Sequence, residues 1–90
     1  MDLLYTPTFA RQIKKMHPND KASLDAAITK ISAYPTVGVE KLAELSGVFI
    51  FKFKVNELAW LLAYRILGAT SILLLLVGPH ENFYRKLKRS

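Results

Sequence analysis

The chain has no cysteine, which excludes disulfides and thiolate-held metals and fits a reducing compartment. Histidine is scarce too: His17 and His80 stand far apart, with no H-x-x-x-H spacing and no carboxylate cluster beside either, so no zinc site, other metal site or cofactor is expected. No stretch is rich in Pro, Gly or Ser and nothing repeats, so residues 1–90 read as one folded domain without linkers. Acidic residues are few, seven against thirteen Lys and Arg. The resulting net charge of +6 favours a nucleic acid, an anionic membrane surface or an acidic protein as partner. The opening Met1-Asp2-Leu3-Leu4 carries no basic residue ahead of its apolar ones, unlike a secretory signal. One long apolar run exists, from Leu58 to Val77, with Arg65 as its single charge. A membrane span would place that arginine near the bilayer centre, and Gly68-Ala69-Thr70-Ser71 reads as a turn. Two buried strands joined by that turn fit the same letters, and no membrane is expected.

The rest of the chain follows two hydrophobic periods. Asp2 to Tyr5 reads as a short strand. Thr6-Pro7 then supplies an N-cap and a proline at the first helical position, followed by Phe9, Ile13 and Met16 at helical spacing. His17-Pro18 ends this helix, and Asn19-Asp20 reads as the next cap. Leu24, Ala27, Ile28, Ile31 and Tyr34 mark a second helix, stopped at Pro35. Residues 35–47 form a connector in which Lys41-Leu42 and Leu45 provide docking points. From Val48 the period becomes two: Phe49, Phe51, Phe53 and Val55 on one side, Ile50, Lys52 and Lys54 on the other. Asn56-Glu57 is a hairpin turn without glycine. Strands over 58–67 and 71–77 and a basic helix or tail over 82–89 complete the order β-α-α-β-β-β-α. That order implies an α+β fold: an antiparallel sheet with the helical hairpin on one face, the other face partly open, and a short basic C-terminal helix.

Chemistry concentrates at the end. The apolar strand stops at Gly78-Pro79, His80 follows, and Tyr84 comes four residues later among Arg85, Lys86, Lys88 and Arg89. An imidazole exchanges its proton near neutral pH and serves as acid or base. Tyr84 reads either as a ring that stacks on a base or donates a proton, or as a prop beneath the last helix. Lys52 and Lys54 are a basic face or an ordinary solvated one. Arg65 is a phosphate clamp or a snorkelling residue at the sheet edge. The C-terminal basic residues attract a phosphate backbone without reading sequence.

Several stretches resemble the RelE/ParE superfamily of toxins from bacterial toxin–antitoxin pairs. They are Tyr5-Thr6-Pro7-Thr8-Phe9-Ala10-Arg11, Lys41-Leu42 ahead of Gly47, Phe51-Lys52-Phe53-Lys54, Tyr64 and Gly78-Pro79-His80. The resemblance implies a RelE-like, ribosome-dependent endoribonuclease that cuts mRNA, or a ParE-like toxin that poisons DNA gyrase. On the first branch it implies catalytic roles for Lys52, Lys54, His80 and Tyr84, with Arg65 as a candidate cation. It also implies RNA contacts from Trp60, whose apolar neighbours otherwise read as core. Trp60-Leu61-Leu62-Ala63-Tyr64-Arg65 and the closing residues are most similar to the YafQ branch. Departures are specific: Leu61 stands where RelE and YoeB types carry an arginine, and Ala59 and Leu76 where the YafQ branch has an aspartate and an arginine. Arg65 and Arg85 are the candidate replacements. The implied partners are the ribosome with its mRNA, and an acidic, partly disordered cognate antitoxin in a toxin–antitoxin complex, all in the cytoplasm. A non-catalytic basic binding module explains the charge alone.

Overall fold

In the computed structural model, described over residues 1–41 and 45–89, helices pack on both faces of one five-stranded sheet. In chain order the elements are β1 (Asp2–Tyr5), α1 (Pro7–Lys15), α2 (Pro18–Ala33), a 3₁₀ turn (Pro35–Val37), β2 (Val39–Glu40), β3 (Val48–Val55), β4 (Leu58–Leu67), β5 (Ser71–Pro79) and α3 (Phe83–Arg89). The run from Leu58 to Val77 thus folds as two paired strands. No helix among the described residues is long and apolar enough to cross a membrane.

Local chemistry sets these boundaries. The Thr6 hydroxyl accepts the Phe9 N–H at 3.1 Å, and Pro7 occupies the first turn of α1, where no N–H is needed. His17, and not the expected Asn19-Asp20, caps α2, its Nδ1 accepting the Asn19 N–H at 3.1 Å. Pro18 occupies the following position, so the cap must precede it. Asn56 and Glu57 both take left-handed conformations, φ 50° and 69°. A two-residue turn of that kind matches the twist of the strands it joins.

The sheet order is β1-β5-β4-β3-β2. Pairs are antiparallel as expected, except that β1 lies parallel to β5. One core fills the space under the hairpin: Phe9, Leu24, Ala27 and Ile31 meet Leu62, Tyr64, Ile72, Leu74 and Val77. The second lies on the opposite face, where Phe83 and Leu87 of α3 cover Val48, Ile50, Leu61, Ala63 and Leu76. At roughly 1.5–3 kcal/mol per fully buried large apolar side chain, those two residues hold a helix of seven that would not form alone. The face expected to lie open is therefore largely covered, while its Lys52–Lys54 end remains exposed.

β5 carries one irregularity with large effect. Ala63 pairs with Leu76 and Tyr64 with Leu74, so Leu75 is an extra residue. Its carbonyl accepts the Thr6 hydroxyl at 3.0 Å. Two residues further on, the Gln12 amide brackets the main chain of Val77, donating to its carbonyl at 2.7 Å and accepting its N–H at 3.0 Å. Alternation along β5 reverses at the bulge. Ile72 and Leu74 face the hairpin before it, and Leu76 faces α3 after it.

Candidate active site

Rows across the sheet define the exposed end of the α3 face. Lys54 pairs with Ala59, and the His80 N–H donates to the Ala59 carbonyl at 3.0 Å, continuing that row past the end of β5. Lys52, Leu61 and Gly78 form the next row inward. Two strand spacings, roughly 10 Å, separate the backbones of Lys54 and His80. The floor between them is made of small or apolar residues: Ala59, Leu61 and Gly78. Lys52, Lys54 and His80 are all exposed.

The turn into α3 aims the aromatic partner. The Phe83 N–H donates to the His80 carbonyl, and Asn82 takes a left-handed φ of 60°, a conformation asparagine tolerates. Phe83 then points into the core and Tyr84 lies half-buried beside His80, ring centroids 6.4 Å apart and edge-on. Lys41, just after β2, places its ammonium 5.3 Å from the centre of the Tyr84 ring. In the sequence Lys41 stands out as a docking point of the connector and as part of the family resemblance, without a place in the site. Its companion Leu42 lies outside the described residues. A cation against a tyrosine face is a favourable contact of about 0.5–2 kcal/mol. Here it also adds a positive charge to the His80–Tyr84 group.

Two expected site residues are elsewhere. Trp60 alternates with Ala59 and Leu61, so it faces the hairpin, against Phe53 at 6.4 Å, and not the His80 side. Arg65 is six residues along β4 from Ala59, roughly 20 Å at the strand rise. It is therefore no member of the His80 group, and its Nη1 donates instead to the Ser46 carbonyl at 3.1 Å. Of the C-terminal basic residues, Arg85, Lys86 and Arg89 are exposed on α3, while Lys88 lines a separate cavity with Arg65.

Tyr64 lies in the core beneath the helical hairpin. Burial pushes its phenol above the ordinary value of 10.0, and the hydrogen bond from the Gly38 N–H opposes that shift. Its hydroxyl donates to the Pro35 carbonyl at 2.7 Å and accepts from Gly38 N–H at 3.0 Å. Gly38 tolerates no side chain: a Cβ would lie 2.7 Å from that hydroxyl. Tyr64 is thus a clasp that fixes the connector leading to Lys41.

Residues 3–88 match the family model described as the ParE-like toxin of type II bacterial toxin–antitoxin systems. The chain belongs to that family. Solved structures share its fold at low identity. The free E. coli toxin RelE, as a doubly substituted mutant, superposes with a TM-score of 0.75 at 14% identity, covering 98% of this chain and 94% of that one. The toxin in the intact E. coli RelBE toxin–antitoxin complex gives 0.72 at 15% identity, over 89% and 96% of the two chains. The same RelE mutant bound to a peptide of the antitoxin RelB gives 0.71 at 13%, over 99% and 93%. No curated protein matches the sequence. The chain is therefore a toxin of the RelE/ParE superfamily with a RelE-like α+β fold.

Proposed function

We propose that this toxin is a ribosome-dependent mRNA endoribonuclease, and the observation that carries the reading is the row joining Lys54, Ala59 and His80, with Tyr84 against the imidazole. Cleavage through the 2′-hydroxyl needs a proton removed from that oxygen and one delivered to the departing 5′-oxygen. Negative charge on the phosphorane between them must be stabilised. The 2′-oxygen bonds to phosphorus, the bond to the 5′-oxygen breaks, and the products are a 2′,3′-cyclic phosphate and a 5′-hydroxyl. His80 carries one of the proton transfers, and Lys52 and Lys54 meet the phosphorane charge from the facing strand. Tyr84 orients the imidazole or stacks on a base. Lys41 stands in for the arginine that Leu61 replaces, which Arg65 is too distant to do. Arg85, Lys86 and Arg89 hold the phosphate backbone, and the ribosome positions the scissile bond.

The proposed partner is an acidic, partly disordered antitoxin, and two features support it. Residues alternate in the direction of their main-chain bonds along an antiparallel strand. The Val48 carbonyl accepts the Lys41 N–H on the β2 side. The main chains of Lys52 and Lys54 therefore point the same way, beyond the end of β2, where no described strand pairs with them. A groove lined by Ser23, Ala26, Ala27 and Lys30 of α2 runs beside that edge. An added strand or helix with acidic and apolar residues fits it. The family description favours one further reading, a ParE-like poison of DNA gyrase, which has no use for His80.

The test is His80→Ala, expressed without antitoxin and checked for folding by thermal melt. Under the nuclease reading, mRNA cleavage falls by roughly 10²–10⁴-fold, and growth arrest is relieved. A folded variant that still cuts mRNA at the parent's rate refutes the role of His80. A parent that leaves mRNA intact and blocks supercoiling by gyrase replaces the nuclease with the gyrase poison.

A further inference from the structure

The two edges of the sheet are guarded differently. At one, β2 is very short, and Lys52 and Lys54 stand along the part of β3 that extends beyond it. Short edge strands and edge lysines discourage pairing with a foreign strand. At the other, β1 runs along β5 with no lysine, arginine or proline between Asp2 and Tyr5. The Asp2 N–H donates to the Thr70 carbonyl at 2.7 Å, and the Thr6 N–H to the Leu74 carbonyl at 3.1 Å. Alternate residues of a strand bond the same neighbour, so Leu4 also turns its main chain towards β5. The N–H and C=O groups of Leu3 and Tyr5 therefore point out from the edge, where no described strand meets them. Side chains there are open as well. Leu4 is 46% and Tyr5 52% exposed, and Leu73, opposite Leu4 on β5, is half-buried.

We infer that this edge pairs with the β1 edge of a second copy of the chain, antiparallel about a two-fold axis at Leu4, so that two sheets become one. In that register Leu4 faces Leu4 across the axis, and Leu3 of each chain faces Tyr5 of the other. The Leu3–Tyr5 pairs are the hydrogen-bonded ones, which satisfies every outward main-chain group of these two residues. Charge selects the occupant. Asp2 is the single charged residue of β1, so the edge attracts neither an acidic segment nor a phosphate backbone. A second copy opposes no like charges on the strand, because Asp2 then meets Thr6 of the other chain. The contact is small, and a dissociation constant between about 1 μM and 1 mM is expected. Each chain carries a net charge of +6, so salt screens the repulsion and strengthens the pair, the reverse of its effect on an acidic or nucleic-acid partner. The edge is at the opposite side of the sheet from β3 and rests on no activity there.

The test is sedimentation of the purified full chain from about 10 μM to 1 mM, at low and high salt. The mass is expected to climb from one chain towards two, more readily in high salt. Leu4→Lys is expected to stay monomeric with an unaltered thermal melt, since it guards an exposed edge position. The absence of native cysteine allows a geometric check. Leu4→Cys places two thiols on Cα atoms about 4.5 Å apart, within disulfide reach, and is expected to cross-link on mild oxidation. Asp2→Cys, on the same face, puts them roughly 13 Å apart along the strands and is expected to remain uncross-linked. A chain that stays monomeric throughout the range overturns the inference. So does a Leu4→Lys variant that associates like the parent, an Asp2→Cys variant that cross-links as fast as Leu4→Cys, or association that weakens as salt rises.

Discussion

Replacing Tyr64 with phenylalanine removes one oxygen atom and leaves the ring, stacked on Phe49 at 5.5 Å, in place. The oxygen serves two main-chain groups: the carbonyl of Pro35, half-buried, and the N–H of Gly38, buried. An unpaired buried group costs about 1–3 kcal/mol, and the more accessible carbonyl recovers part of its loss from water. We therefore expect Tyr64→Phe to cost about 2 kcal/mol, lowering Tm by roughly 8–16 °C for a domain of this size. The pH dependence separates this from a packing defect. Burial holds the folded phenol above its ordinary value of 10.0, so above pH 10 the unfolded chain loses this proton while the folded chain keeps it. Stability then falls with rising pH through this residue, and below pH 10 it contributes no slope. The parent's advantage over Tyr64→Phe is constant from pH 7 to 9 in denaturant titrations and shrinks above pH 10. A cost below about 0.5 kcal/mol, or a difference that grows in alkali, refutes the clasp.

Three further outcomes follow from contacts described above. Lys41→Met, which keeps the stem but not the charge, is expected to lower mRNA cleavage by at least about tenfold, with Lys41→Arg restoring most of it; equal rates for both variants exclude the charge. His17→Asp replaces an uncommon cap with a preferred one that also complements the helix dipole, and is expected to raise stability by about 0.5–1 kcal/mol in a thermal melt. Gln12→Ala leaves both main-chain groups of Val77 without their side-chain partner and is expected to cost about 1–3 kcal/mol, with hydrogen exchange at Val77 rising well above that of Leu62.

The element order was legible because the hydrophobic period changes cleanly at Val48 and the helix ends carry Thr6-Pro7 and His17-Pro18. The lysine face was legible from parity alone, since Lys52 and Lys54 alternate with three phenylalanines. Parity also holds the answer for Trp60, which shares its side with Leu62 and Tyr64. Arg65 was misplaced for want of a length: six residues of strand carry it far from His80. The packing of α3 was written in Phe83 and Leu87, four apart, but the basic residues around them read as a short solvated helix or tail with no core beneath it. Nothing local marked Lys41, whose position depends on a turn held by a phenol 23 residues away along the chain.

The run from Leu73 to Leu76 is four identical residues, so removing any one of them yields the same protein. Each such deletion removes the extra residue of the bulge, and uninterrupted alternation then leaves Leu76 opposite Ala63 and His80 on the α3 side, beside Ala59. Exchanging a leucine for another apolar residue leaves that arithmetic intact. The imidazole's side of the sheet is thus set by pairing with β4 and not by the identity of any leucine. A three-base slip that shortens the leucine tract therefore straightens β5 and removes the extra carbonyl that Thr6 holds, yet leaves the imidazole on its own side of the sheet.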